Sequence, residues 1–291
     1  MSGDRRVTLV TGTSSGFGWH VALALARGGD TVFAGMQYPT GRDLDSAQRI
    51  AQISTEEGLD IHVVEVDVDY DESVGACVSR VLKQAGRVDA LVNNAGFGVL
   101  GPWECTAMEA ARRQFETNFW GVFRMSRAVV PAMRDRGHGH ILATSSEAGV
   151  SVLPGEAFYD ASKFALEGMM RVMRVELSQF GIRVATVTPG WYKTQFLKYA
   201  VVTPEDGQTA LLYARLMDRF GETATRKDFE NPDTWELGDT VKQVLDMDDP
   251  PFRNTCHTGE MRMRTNGPDE AERDLIEYYE LQDFYKPWLR A

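Results

Sequence analysis

Six short runs rich in Val, Ile, Leu and Ala recur along the chain, at 7–10, 31–34, 62–66, 88–92, 140–144 and 183–187. Most of them do not alternate with polar residues, which is the pattern of strands buried on both faces of a parallel sheet. Between them lie stretches of helical character near 17–28, 43–57, 71–85, 107–135 and 155–180. Strand–helix alternation of this kind implies right-handed crossovers and a doubly wound α/β sheet with helices on both faces.

After Pro189-Gly190 the rhythm breaks. Residues 191–230 mix aromatics, Lys and short helical runs. A helix is expected to start at Asn231-Pro232-Asp233 and run to about Met247, followed by a seventh strand at 252–257 and a last helix at about 269–284. No linker precedes this tail. The expectation is therefore one domain over 1–291, with 191–250 covering the site and 251–291 adding a strand and a helix.

Composition excludes several function classes. Of 291 residues, 43% are hydrophobic and 25% charged, ordinary values for a globular protein. The 31 Lys and Arg against 42 Asp and Glu give a net charge of −11. That balance disfavours nucleic acid or an anionic membrane surface as the main partner. Cys77, Cys105 and Cys256 stand far apart with no CxxC pair, so a reducing, cytoplasmic setting is expected. No apolar run approaches the roughly 18 residues of a membrane span, and Met1–Arg6 offers no signal-peptide core. His138 and His140 flank Gly139 just ahead of an apolar run and are assigned to a turn, so no metal site is expected.

Three motifs carry chemistry. Gly12, Gly16 and Gly18 follow the first strand and open a helix. A Gly turn there lets the backbone approach a pyrophosphate, and the helix N-terminus offers N–H groups and a favourable dipole. The segment Asn93-Asn94-Ala95-Gly96 ends the fourth strand, where ligands bind in open α/β sheets. Ser146 ends the fifth strand, and Tyr159 and Lys163 follow four residues apart on one helical face. An ammonium beside a phenol favours the phenolate, which would bring a group of ordinary pKa about 10 toward neutral-pH proton exchange.

With these motifs in this order, the chain resembles the short-chain dehydrogenases/reductases, and within them the longer hydroxysteroid- and retinol-dehydrogenase-like members. The match rests on the TGxxxGxG turn, the NNAG segment, the YxxxK pair, Ser146 thirteen residues before Tyr159, Asn118 and Pro189-Gly190 with Thr194 beyond. The resemblance covers about 6–196. It implies a single-domain Rossmann-type sheet of about seven strands in the order 3-2-1-4-5-6-7. It further implies hydride transfer between a nicotinamide cofactor and a C–OH/C=O pair. By the same resemblance Tyr159 is the general acid/base, and Lys163 holds the ribose and lowers the phenol pKa. Ser146 bonds the substrate oxygen, and Asn118 holds a water. The cofactor is expected against Gly12, Ser14, Ser15, Gly16, Phe17 and Gly18, then Met36 and Gln37. Asp67, Val68, Asn94, Ala95 and Gly96 follow, with Tyr159 and Lys163, then Pro189, Gly190 and Thr194.

Met36-Gln37 carries neither the carboxylate that pairs with a ribose 2′-OH nor the Arg that takes a 2′-phosphate, and Ser15 is uncharged. The cofactor is NAD or NADP, with NAD preferred unless the loop returns Arg42 to that corner. Phe97, Val99, Leu153, Phe158, Trp191, Tyr192 and the 195–220 segment are expected to line the substrate side together with Ser146 and Tyr159. Their character points to a hydrophobic secondary alcohol or ketone as the small-molecule partner. The alternative is a redox-silent nucleotide-binding regulator, which would have lost Tyr159 or Lys163. Apolar residues on more than one face of the 107–135 and 155–180 helices, among them Phe123, Leu166 and Met170, predict a homodimer or homotetramer.

Overall fold

The computed structural model describes residues 5–190, 201–202, 207–227, 235–256 and 280. The first strand, β1 (Val7–Thr11), is buried at every position, its two threonines included. Helix α1 (Gly16–Arg27) returns the chain to β2 (Thr31–Met36), and α2 (Leu44–Glu57) leads to β3 (Ile61–Glu65). Helix α3 (Asp71–Ala85) then crosses back to β4 (Ala90–Asn93) on the other side of β1. Next come a short strand β5 (Val99–Leu100), helices α4 (Met108–Phe115) and α5 (Gly121–Arg136), and β6 (Gly139–Thr144). Helix α6 (Ala157–Ser178) and β7 (Ile182–Pro189) follow, then β8 (Val201–Val202), α7 (Gly207–Lys227), α8 (Trp235–Asp246) and β9 (Arg253–Cys256).

Seven strands form one sheet in the order β3-β2-β1-β4-β6-β7-β9, and every pair in it is parallel. This is the expected Rossmann-type order, counted along the main sheet. Successive strand residues point to opposite faces. Leu9, Leu91, Ile141 and Val184 thus join a core under α3, α5 and α6. Val10, Val92, Leu142 and Ala185 join a second core under α1, α2 and α8. Two full cores explain why the strand sequences show no polar alternation.

Three details depart from the sequence reading. The helix expected at 107–135 is divided by a π turn at Glu116–Trp120. A π turn adds a residue and re-aims one side chain, often at a functional site; here Asn118 turns inward. Val99, expected near the substrate, is buried in β5, which pairs in parallel with β8. His140 is inside β6 and buried rather than in a turn. The helix expected at 269–284 and the residues Trp191, Tyr192 and Thr194 lie outside the described residues. The three cysteines are buried thiols.

The lower edge of the sheet is tied by one carboxylate. Asp89 accepts the Val7 N–H at 2.8 Å, Arg87 Nε at 2.8 Å and Arg136 Nη1 at 2.6 Å. It thereby joins the start of β1, the approach to β4 and the end of α5. Burial alone would raise this carboxyl, but the Val7 N–H and the two guanidinium groups more than offset it, so it titrates below its ordinary range. A carboxylate held low in the native state stabilises the fold above its unfolded pKa, and that contribution fades as pH falls. Asp89→Ala is expected to lower stability at neutral pH by about 3 kcal/mol, read as a lower urea midpoint. The gap from the parent protein should narrow below about pH 4.

Candidate active site

The strand order reverses between β1 and β4, opening a crevice beyond their carboxyl ends. Gly12 and Gly16 there have φ of +71° and +57°, a region that favours glycine. Side chains are excluded by contact as well. A Cβ on Gly12 would stand 2.7 Å from Ala95 Cα, and one on Gly18 would stand 2.2 Å from the Gly12 carbonyl oxygen. Helix α1 begins at Gly16 with no side-chain cap and no acid in its first turn. Its first N–H groups are thus available to an anion.

The Asn-rich segment braces this turn. Asn94 Nδ2 donates to the carbonyls of Thr11 and Gly12 at 3.1 and 3.2 Å. Thr11 Oγ1 accepts the N–H groups of Asn94 and Ala95, each at 3.0 Å. The ends of β1 and β4 therefore hold one another in place.

A cavity of about 490 Å³ extends from the glycine turn to α6. Of the residues expected at the cofactor, it is lined by Gly12, Ser14, Ser15, Gly16, Phe17 and Gln37 on the β1–β2 side. Asp67, Val68, Asn94, Ala95 and Gly96 line its middle, and Tyr159, Lys163 and Pro189 its far end. Gly18 lies beneath the turn rather than in the cavity wall. The Met36 side chain belongs to the core, because its strand position points it under α1 and α2. Gly190 is not in the wall; its N–H reaches the Cys256 carbonyl at 3.5 Å. A glycine turn with no room for a Cβ, an uncapped helix N-terminus and an elongated cavity fit a dinucleotide with its pyrophosphate at α1.

At the far end the side chains converge. Ser146 caps a short turn at Glu147–Gly149, its Oγ accepting the Ala148 N–H at 3.2 Å. Its hydroxyl is also hydrogen-bonded to the Tyr159 phenol. Lys163 Nζ donates to the Thr144 carbonyl at 2.8 Å and lies 5.7 Å from the Tyr159 ring centroid. Asn118 closes a two-point contact with Phe97, Oδ1 accepting its N–H at 3.1 Å and Nδ2 donating to its carbonyl at 3.0 Å. So the π turn fixes the backbone of Phe97 at the cavity wall. Leu153 does not line the cavity; its N–H donates to Asp160 Oδ2 at 3.0 Å.

The expected lowering of the phenol pKa by Lys163 is corrected by these surroundings. Burial pushes Tyr159 up, and the Ser146 hydrogen bond only partly opposes it. Lys163 is itself brought down to about 8 by burial, with Glu167 opposing. The Lys163 amine is committed to the Thr144 carbonyl, and burial dominates the phenol.

At the other end, Arg42 returns to the cavity. Its Nη2 donates to Gln37 Oε1 at 2.6 Å, and Gln37 Nε2 donates to Asp67 Oδ2 at 2.6 Å. The guanidinium also lies over the Tyr38 ring, 5.0 Å from its centroid. Sequence reasoning missed Asp69, Arg113 and Thr117, which also line the cavity. Asp69 accepts from Thr117 Oγ1 at 3.1 Å, while its buried Oδ1 has no partner. Asp69 lies two residues past Asp67, in the same loop, and that adjacency was the available signal.

The family model for short chain dehydrogenases matches residues 6–204. Retinol dehydrogenase 8 of Homo sapiens is 39% identical over 197 residues, 67% of this chain and 62% of that enzyme. The chain thus spans less than two thirds of the length of that relative. The 3-ketodihydrosphingosine reductase of Bacteroides thetaiotaomicron is 32% identical over 248 residues, 85% of this chain and 86% of the relative. A short-chain dehydrogenase structure from Streptomyces avermitilis superposes with a TM-score of 0.78 at 29% identity, covering 97% of this chain and 99% of the other. Motifs, strand order and these likenesses agree, and the chain belongs to the short-chain dehydrogenase family.

Proposed function

We propose that this protein is an NAD(P)-dependent oxidoreductase that interconverts an alcohol and a carbonyl on a hydrophobic substrate. The observation that carries the reading is that Tyr159, hydrogen-bonded to Ser146 behind the cavity wall, and Lys163 line one end of a cavity whose other end is the glycine cradle. A nicotinamide dinucleotide, held by residues 12–18, 94–96 and Lys163, supplies the hydride chemistry when bound. The chain supplies orientation and protons. Tyr159 gives a proton to the carbonyl oxygen during reduction and takes it back during oxidation. Ser146 bonds the same oxygen and steadies charge developing on it. Burial keeps the phenol protonated at neutral pH, the form needed for reduction.

Arg42 supports NADP as the better ligand. The NAD preference expected from the sequence rested on the absence of a cation at Ser15 and Gln37. Folding brings one to that corner from five residues beyond Gln37, already aimed by Gln37 and Tyr38. A guanidinium there offers charge-assisted bonds to a 2′-phosphate. The names of the relatives, a retinol dehydrogenase and a ketodihydrosphingosine reductase, support a long apolar substrate. Helix α7 is placed to cover it. Tyr213 on α7 donates to Glu104 at 2.5 Å, and Met217 lies against Gly155. On this reading 191–250 is the substrate-covering part of a single domain and 251–291 its C-terminal strand and helix. Buried thiols at all three cysteines support a reducing, cytoplasmic setting. No helix among the described residues is long and apolar enough to cross a membrane.

A homodimer or homotetramer is proposed on α5 and α6, from Phe123 but not from Leu166 and Met170. Val122, Leu166 and Met170 are core, because their helix faces point to the sheet. Trp120, Phe123, Phe164, Val172 and Val175 remain exposed, and the last four lie on those two helices. An apolar second face calls for a partner.

Four measurements test this. Tyr159→Phe should lower turnover by about 10²–10⁴-fold while dinucleotide affinity, by calorimetry, stays near that of the parent. Because burial raises the phenol, alcohol oxidation should climb with pH on the alkaline side, and carbonyl reduction should hold steady through neutrality. Arg42→Ala should weaken NADP binding by about tenfold and leave NAD binding nearly unchanged; equal loss for both would refute the 2′-phosphate role. Light scattering should give a mass of at least twice 32.5 kDa, and Phe123→Glu with Phe164→Glu should reduce it to the monomer.

A further inference from the structure

Helix α6 and its N-cap turn four charged side chains inward, Glu156, Asp160, Lys163 and Glu167. Their spacing places them in one row along the helix, and each is less than a tenth exposed. Buried charges are ordinarily paired. Glu167 Oε2 accepts Arg253 Nη2 at 2.7 Å, and Lys163 donates to the Thr144 carbonyl. Among the described residues Glu156 and Asp160 have no cation partner and stand one turn apart on the helix. Their carboxyl groups are in hydrogen-bond contact. Asp160 Oδ2 takes the Leu153 N–H, but the buried Oδ1 has no donor in the structure. A carboxyl–carboxylate contact is attractive only when one member keeps its proton.

That proton also balances the row. One negative charge on the Glu156–Asp160 pair and one on Glu167 stand against Lys163 and Arg253. Other elements that pack on or near α6 contribute further charged groups. These are Glu147 in the turn at Glu147–Gly149, Arg112 and Arg113 on α4, Glu116 in the π turn and Arg183 on β7. The pair itself is shifted mainly by burial, its own mutual contact and the Leu153 N–H. Burial raises both carboxyls, and each acts on the Tyr159 phenol through its charge.

We propose that Glu156 and Asp160 share one proton and serve as positioning residues for Tyr159, their single negative charge holding the phenol in its protonated, proton-donating form. The shared proton stands on its own; the tuning role rests on the reading of Tyr159 as the acid/base. Loss of the shared proton in alkali would put a second negative charge near the phenol and resist its ionisation further.

The test uses the full chain with Glu156→Gln, Asp160→Asn and the double variant. Difference infrared spectra of the dinucleotide-free protein, neutral against alkaline, should show a protonated-carboxyl C=O band that titrates away and is missing in either single variant. In the double variant the rise of alcohol oxidation with pH should move down by about one unit. Asp160→Asn alone, which keeps one negative charge and the contact, should hold its profile near neutrality. Absence of the titrating band overturns the shared proton whatever Tyr159 does. A band present with an unmoved profile in the folded double variant, where Tyr159→Phe is inactive, overturns the tuning role and leaves the Tyr159 assignment standing. An active Tyr159→Phe removes the acid/base assignment and the tuning role together, and the infrared result still decides the proton. If the double variant does not fold, the infrared spectra of the single variants carry the decision.

Discussion

The clasp between the carboxyl ends of β1 and β4 is the contact on which the rest of the site depends. Chain leaves these two neighbouring strands toward opposite sides of the sheet, so their ends would part without a crosslink. Thr11 and Asn94 supply four hydrogen bonds between them. The clasp presses the Gly12 turn against Ala95 so closely that no Cβ fits at Gly12 or Gly18. The floor of the crevice is thereby backbone, and backbone N–H groups are what an anionic ligand needs there. Asn94 is therefore as much a structural brace as a wall of the cavity.

A second constraint is the face that α6 turns to the sheet. Most helices on such a sheet bury an aliphatic stripe, as α3 does with Val74, Cys77, Val78 and Val81. Helix α6 buries Leu166 and Met170 but also a row of ionisable groups. Charge taken out of water is costly unless neutralised or shared. The row answers with an ion pair at one end, a carbonyl for Lys163 in the middle, and two carboxyls in contact at the other end. The phenol sits beside this row, so its proton affinity is decided by the whole helix face and not by one neighbouring lysine.

The same logic separates what each end of the cavity does. The glycine end offers backbone N–H groups, with Arg42 at its rim beside Asp43 and Asp67. The α6 end is rich in groups that hold protons, as the proposed exchange with a substrate oxygen requires. Asn118 lines the cavity between the two ends. By seizing both polar atoms of Phe97 it fixes the chain that connects them, and the π turn exists to aim it.

The strand order came from the family resemblance, while the sequence by itself determined the doubly wound fold class and pointed to the glycine turn and the Tyr159–Lys163 pair. These follow from local patterns: unbroken apolar runs, glycines where positive φ or close approach is needed, and a four-residue helical spacing. Most of the residues expected at the cofactor line the cavity. Only the tertiary structure decided the rest, because each remaining point depends on what lies across space. Arg42 reaches the Gln37 corner through a loop whose path no local pattern specifies. Met36 and Leu166 could be assigned to core only once the strand and helix faces were oriented. The direction of the Tyr159 shift reversed because proximity of a lysine is legible in a four-residue spacing, whereas burial and the carboxyls of Glu156 and Asp160 act only after the helix is docked.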